Sequence, residues 1–384
     1  MRDPLAELAE LEAAGLRRQL RTLDSPQGVR ISLAGSGTVH NFSSNDYLGF
    51  ATEPIIAAAF AEHLQRLGHG AGASRLVCGS MAAHRQLEEQ LADLKRSEAA
   101  LTFSSGFAVA TGVLPALCGK GDVIILDKLC HASLIDGARL SGATLRIFPH
   151  NDLDRLERHL RWASETTGPD GRILVVTESV FSMDGDTAPL MEICRLKDES
   201  EALLLVDEAH AFGVFGPAGR GLAAALGLES RIDLQMGTFS KALGLSGGYL
   251  CASRAFVDLL INRARSFIYS TAPAPALAAT LGDALQLMAG PLGDDRRGQL
   301  WRNCRQLEPK ANSAIIPHII GTNEAALAAA ESLLHKGFLV PAIRYPTVPR
   351  GSARLRVTLS AKHESDQVQA LQRALSEIAL TSAL

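Results

Sequence analysis

One lysine stands apart in this chain. Of 38 basic residues eight are lysines, and across residues 234–253 (LQMGTFSKALGLSGGYLCAS) Lys241 is the lone charged side chain. It sits among Gly, Ser and Thr just past an apolar run, with no carboxylate nearby in sequence. Burial at such a place disfavours the ammonium and leaves the free amine that carbonyl chemistry needs. On an ordinary loop the same side chain would snorkel to the surface instead. The second group is Asp207, which ends the run LLLVD at 203–207 and is followed by Glu208, Ala209 and His210. Open α/β sheets place their ligands at the carboxyl ends of strands. A carboxylate there is costly unless it meets a cation.

Amine and carboxylate together ask for a ligand with an aldehyde for one and a protonated ring nitrogen for the other. Pyridoxal phosphate carries both, and His210 can reach its phenolic oxygen. An Asp that merely caps the following turn is the competing reading. The phosphate would need N–H donors. The stretch FSSGFA at 103–108 opens a helix with small residues and aims its positive end outward, although Ser-Ser-Gly is also an ordinary N-cap. Two rival phosphate motifs fail. Gly119-Lys120 is followed by Gly121 rather than Ser or Thr, and GHGAG at 68–72 lacks a preceding strand. His131 opens a helix in CHAS at 130–133, where its ring can stack on a planar ligand or simply face solvent. No metal-ligand spacing such as HExxH occurs among the eleven histidines, so no metal is expected.

These groups need a scaffold, and the middle of the chain supplies one. Apolar runs at 121–127, 143–148, 172–178, 202–207, 232–236 and 248–252 read as strands buried on both faces. Helical patterns lie at 80–97, 131–140, 152–164, 189–199 and 274–289. Residues 2–23 read as an amphipathic helix, with Leu5, Leu8, Leu11 and Leu16 at helical spacing. The polar patch GPLGDDRR at 290–297 interrupts the pattern. After it come strands at 314–320, 338–343 and 353–359 and helices at 323–336 and 364–380. The organisation expected is an N-terminal helix and arm at 1–45, a large α/β domain at 46–289 and a small C-terminal α+β domain at 290–384.

The 384 residues are 47% hydrophobic and 21% charged, which excludes wholesale disorder. A net charge of −3 gives no surface for nucleic acid or an anionic membrane. The six cysteines are scattered, without a C-x-x-C pair, as in reduced cytoplasmic proteins. Asp3, Glu7, Glu10 and Glu12 stand where a signal peptide needs an apolar run. The uncharged stretch at 101–119 is long enough to span a bilayer, but Gly106, Gly112 and Pro115 mark it as a buried turn and helix. No membrane association is expected.

Seven ordered motifs resemble the α-oxoamine synthases, a family of fold-type I pyridoxal-phosphate enzymes. They are NFSSNDYLG at 41–49, SGF at 105–107, HAS at 131–133, TESVFSMDG at 177–185, VDEAH at 206–210, GTFSKALG at 237–244 and RYPTVP at 344–349. The likeness runs over about residues 17–363. It implies a large, mostly parallel sheet domain with a smaller C-terminal domain. It also implies pyridoxal 5'-phosphate as cofactor, with Lys241 as the Schiff-base lysine and Asp207 on the pyridine nitrogen. His131 would stack on the ring and line the substrate pocket, and Ser182 and His210 would sit at the phenolic oxygen. Gly106, Phe107 and Thr238 would bind the cofactor, largely its phosphate. Arg344 would hold the amino-acid carboxylate, with Thr347 close to substrate and Asn45 facing the same pocket. Arg18, with Arg17 or Arg21 as alternatives, would approach the acyl substrate. The implied assembly is a homodimer with its site at the interface, where Ser270 and Thr271 reach the partner's phosphate. The reaction implied is the decarboxylative condensation of L-alanine with a pimeloyl thioester of coenzyme A or an acyl-carrier protein, in biotin biosynthesis. Ile343, Arg344, LSA at 359–361, FSSNDYLG at 42–49 and YSTA at 269–272 resemble the alanine-using member of the biotin pathway, whereas YPTVPRG at 345–351 reads like a glycine-using member of the family.

Overall fold

Short apolar runs without polar alternation require cover on both faces. They form the central sheet of the larger of two compact units in the computed structural model, which describes residues 3–382. Among the described residues this sheet has seven strands, in the order Ala99–Phe103, Gly248–Ala252, Leu234–Thr238, Leu203–Asp207, Ile173–Glu178, Val123–Asp127 and Thr144–Phe148. Gly248–Ala252 runs antiparallel to both neighbours and the remaining pairings are parallel. Alternate side chains feed two separate cores. Ile124, Leu126 and Leu205 face one, with the helices Gly106–Leu117, Ala132–Ser141 and Arg254–Arg263. Val123, Ile125, Leu204 and Val206 face the other, with Leu153–Thr166 and Leu190–Glu199. Four adjacent parallel strands end at one edge on Thr238, Asp207, Glu178 and Asp127. That edge collects the polar chemistry of the unit.

The larger unit comprises Phe50–Ser182 and Asp186–Arg297, the smaller one Met1–Gly49, Met183–Gly185 and Gly298–Leu384. Among its described residues the smaller unit has two three-stranded sheets. One joins the hairpin Arg30–Leu33 and Gly37–Asn41 to Phe338–Leu339. The other sets Ala353–Thr358 between Ile315–Gly321 and Ala342–Ile343. The helices Asn323–His335 and Ser365–Ser382 belong to the same unit. No described helix is long and apolar enough to cross a membrane.

Several expected elements take a different form. The N-terminal helix covers Pro4–Ala13 rather than 2–23, whose Arg2 lies outside the described residues. It stops where Gly15 adopts a left-handed backbone (φ 63°), and Leu5, Leu8 and Leu11 remain exposed. The strand expected at 338–343 is split between the two sheets. Pro341 has no N–H to continue a ladder, so Phe338–Leu339 and Ala342–Ile343 pair elsewhere. The polar patch at 290–297 does interrupt the helix Pro275–Ala289 at Gly290, but the rest of it is helical, because Pro291 starts the helix Pro291–Leu307 and Asp294 pairs with Arg297 one turn on. Residues 101–103, expected in a turn and helix, complete the strand Ala99–Phe103.

Candidate active site

Lys241 lies in the tight loop that follows the strand Leu234–Thr238, half-buried, with its Nζ 2.9 Å from Nε2 of His210. Gly244 closes that loop. Its φ is 64° and a Cβ there would stand 2.2 Å from the Ala51 nitrogen, so no other residue fits. Asp207 ends the neighbouring strand, buried, with Oδ1 accepting the Ala209 N–H at 2.8 Å. Burial pushes its carboxyl up, while the Lys241 ammonium and His131 pull it back. Glu178 lies directly opposite Asp207 in the ladder. Burial, reinforced by the Asp207 charge, pushes Glu178 up to about 8.

His131 caps the helix Ala132–Ser141 with its own ring, Nδ1 accepting the Ser133 N–H at 3.2 Å. Its backbone N–H donates to Glu178 Oε1 at 2.5 Å. Desolvation pushes the imidazole pKa down, so the ring is neutral and suited to stacking. Ser182 lies on the hairpin at 180–187, closed by the Val180–Thr187 bridge and by the Phe181 N–H to the Asp186 carbonyl.

Ser105 caps the helix Gly106–Leu117 by accepting the Ala108 N–H, which leaves the N–H groups of Gly106 and Phe107 at the open helix end. Thr238 stands beside this end, since a Cβ on Gly106 would meet its Cβ at 3.5 Å. Gly248 makes the approach possible, because a Cβ there would stand 2.6 Å from the Gly106 nitrogen. Phe107 is half exposed.

The smaller unit groups the other expected residues. Arg18 donates to Thr347 Oγ1 at 3.3 Å, and the Arg344 guanidinium donates to the Gly15 and Arg17 carbonyls. Asn45 Oδ1 accepts from both terminal nitrogens of Arg356, at 3.2 and 3.1 Å. Arg356 is buried and also donates to Thr358 Oγ1 at 2.9 Å. Sequence reasoning missed it, although an arginine inside the apolar run RLRVT carries the same signal of a desolvated cation that singles out Lys241. It also missed Glu178, which ends an apolar strand just as Asp207 does.

The larger unit's residues fit pyridoxal 5'-phosphate. An amine, a buried carboxylate, an open helix end beside a threonine hydroxyl and a neutral imidazole match its aldehyde, ring nitrogen, phosphate and planar ring. The cleared space at Gly248 brings the helix end against the sheet edge that carries the other three.

A family model for aminotransferase class I and II matches residues 38–375. Among curated relatives, the 8-amino-7-oxononanoate synthase of Geobacter sulfurreducens is 45% identical over 98% of each chain. That of Methylobacterium nodulans is 47% identical over 97% of this chain and 95% of its own. Among solved structures, a serine palmitoyltransferase from S. paucimobilis with bound PLP and myriocin superposes with a TM-score of 0.91 at 29% identity, covering 99% of this chain and 97% of that one. An 8-amino-7-oxononanoate synthase from Francisella tularensis gives 0.75 at 28% identity, over 89% and 98%.

Proposed function

The chain belongs to the aminotransferase class I and II family, and within it we propose an acyltransferase that condenses L-alanine with a pimeloyl thioester in biotin biosynthesis. It is a fold-type I enzyme that works with pyridoxal 5'-phosphate. The products of the proposed reaction are 8-amino-7-oxononanoate, carbon dioxide and the free thiol carrier, coenzyme A or an acyl-carrier protein. The carrying observation is the Lys241 amine at 2.9 Å from His210, beside buried Asp207, in a chain whose full-length relatives share that synthase name.

When bound, pyridoxal 5'-phosphate supplies an electron sink for a carbanion at the amino acid's α-carbon. Lys241 would hold the aldehyde, and its Nζ would accept the α-proton of alanine. Asp207 keeps the ring nitrogen protonated, while Ser182 and His210 hold the phenolic oxygen. His131 covers the ring, and Gly106, Phe107 and Thr238 hold the phosphate. Arg344 exchanges its two carbonyl acceptors for the alanine carboxylate and so sets which α-bond is broken. Thr347 and Asn45 line the substrate pocket, and Arg18 meets the acyl substrate. The α-carbon of alanine attacks the thioester carbonyl, the carbon–sulfur bond breaks and the thiol leaves. The alanine carboxylate departs as carbon dioxide and Lys241 returns a proton to the α-carbon.

We place the enzyme in the cytoplasm as a homodimer. A glycine-using reaction, that of 5-aminolevulinate synthase or 2-amino-3-ketobutyrate CoA ligase, is the second reading, favoured by YPTVPRG at 345–351. Thiol release measured with alanine, glycine and serine against short and long acyl thioesters decides between them. Alanine with the pimeloyl thioester is expected to be fastest, and a strong preference for glycine would overturn the choice.

A further inference from the structure

The hairpin that presents Ser182 is held by a charged relay for which the reaction above has no use. The Asp127 side chain, at a strand's carboxyl end and fully buried, accepts the backbone N–H groups of Leu129 at 2.7 Å and Asn151 at 2.8 Å. Nδ1 of His150 meets its Oδ1 at 3.1 Å, and Nε2 of the same ring meets Asp186 Oδ2 at 2.7 Å. The ring stands edge-on to Phe181, centroids 4.3 Å apart at 86°. Asn151 turns the chain with φ 55°, and its amide reaches Asp186 Oδ2 and the Thr187 carbonyl at 3.3 Å. His150 and Asn151 thus tie Asp127 to the hairpin on both sides of Ser182, at Phe181 before it and at Asp186 and Thr187 after it.

A neutral imidazole has one donor, whereas both ring nitrogens here face carboxylates. The relay is complete only when His150 is charged. Burial works against that charge, but the hydrogen bonds to Asp127 and Asp186 outweigh it and push the pKa up to about 10. A cation locked between two carboxylates holds a hairpin more firmly than a neutral contact does.

We propose that His150 is a positioning residue, an imidazolium bridge between Asp127 and Asp186 that fixes the hairpin so that the Ser182 hydroxyl faces the cofactor's phenolic oxygen. This rests on the reading of Lys241 and Ser182 given above. The test titrates the visible absorption band of the lysine-bound cofactor in holoenzyme, comparing wild type with Ser182→Ala, His150→Gln and the double variant. Ser182→Ala is expected to move the band's apparent pKa by about one pH unit, as loss of a hydrogen bond to a charged group does. His150→Gln should move it in the same direction by a similar amount, and the double variant no further. Asp186→Asn, which removes only the outer carboxylate, should give the same shift should His150→Gln fail to fold. A His150 variant that titrates like wild type, a shift that adds to that of Ser182→Ala, or no shift in Ser182→Ala would each overturn the proposal. A wild type without the band, or a band that survives in Lys241→Ala, would overturn the site itself and the proposal with it.

Discussion

Two buried carboxylates stand side by side in register at the sheet edge, and their division of charge decides what the edge can bind. The Lys241 ammonium and the Ala209 N–H work against the burial that raises Asp207, while burial and the Asp207 charge push Glu178 up to about 8. Glu178 is thus the member of the pair that favours its protonated form at neutral pH, and Asp207 is the carboxylate proposed for a ring nitrogen. Asp207→Ala is expected to retain cofactor but slow α-proton removal on the order of 10²–10⁴-fold, read as single-turnover kinetics with deuterated alanine. Unchanged turnover would mean the assignment is misplaced. Glu178→Gln, which keeps an acceptor for the His131 N–H, is expected to hold kcat near wild type. A collapse of kcat would show that Glu178 acts as an ion. Asp207 was legible in the sequence because a charge ended an apolar run. Glu178 and Asp127 carry the same mark, but a single strand-end carboxylate cannot say which neighbours share its edge. His150 left no local trace, since Asp127 and Asp186 lie 23 and 36 positions away.

At the scale of elements, buried parallel strands were the most legible feature because their apolar runs do not alternate. Ala99–Phe103 was hidden inside an uncharged stretch that continues into a helix, and Pro54–Leu67 showed no pattern distinct enough to set it apart. Close approaches were invisible altogether. Gly248→Ala would push the start of the helix Gly106–Leu117 off the sheet, a clash costing ~1–3 kcal/mol. Cofactor affinity measured by equilibrium dialysis is expected to fall roughly tenfold or more, and an unchanged Kd would remove the helix end from the phosphate site. In the smaller unit His363 ties two segments together, Nε2 to the Asn41 carbonyl and Nδ1 accepting the Ser360 N–H at 2.9 Å. Burial pushes its pKa down to about 4. The neutral form is the folded form, so stability is full above the unfolded value near 6.5 and drains as pH falls from there toward 4. The loss reaches about 3 kcal/mol. Thermal melting of wild type and His363→Gln across that window should show the steeper decline in wild type. Parallel curves would contradict it.

Across the whole molecule, the residues proposed for the reaction fall into two groups. Lys241, Asp207, His131 and His210 lie in the larger unit, Arg344, Thr347, Arg18 and Asn45 in the smaller. On the larger unit Leu76, Val77 and Tyr269 are strongly exposed, and the Ser74–Thr271 bridge brings their segments together. Exposed aliphatic and aromatic side chains in one region favour a second copy as cover. Leu76→Asp combined with Val77→Asp is expected to convert a dimer to monomer in light scattering and to depress thiol release. A monomeric wild type would contradict the homodimer. Beneath both units' roles lies one amine. Borohydride treatment of cofactor-loaded protein, followed by digestion and mass spectrometry, reads directly which lysine holds the aldehyde. The expected result is a reduced pyridoxyl adduct confined to the peptide that contains Lys241, and an adduct on another lysine, or none, would contradict it.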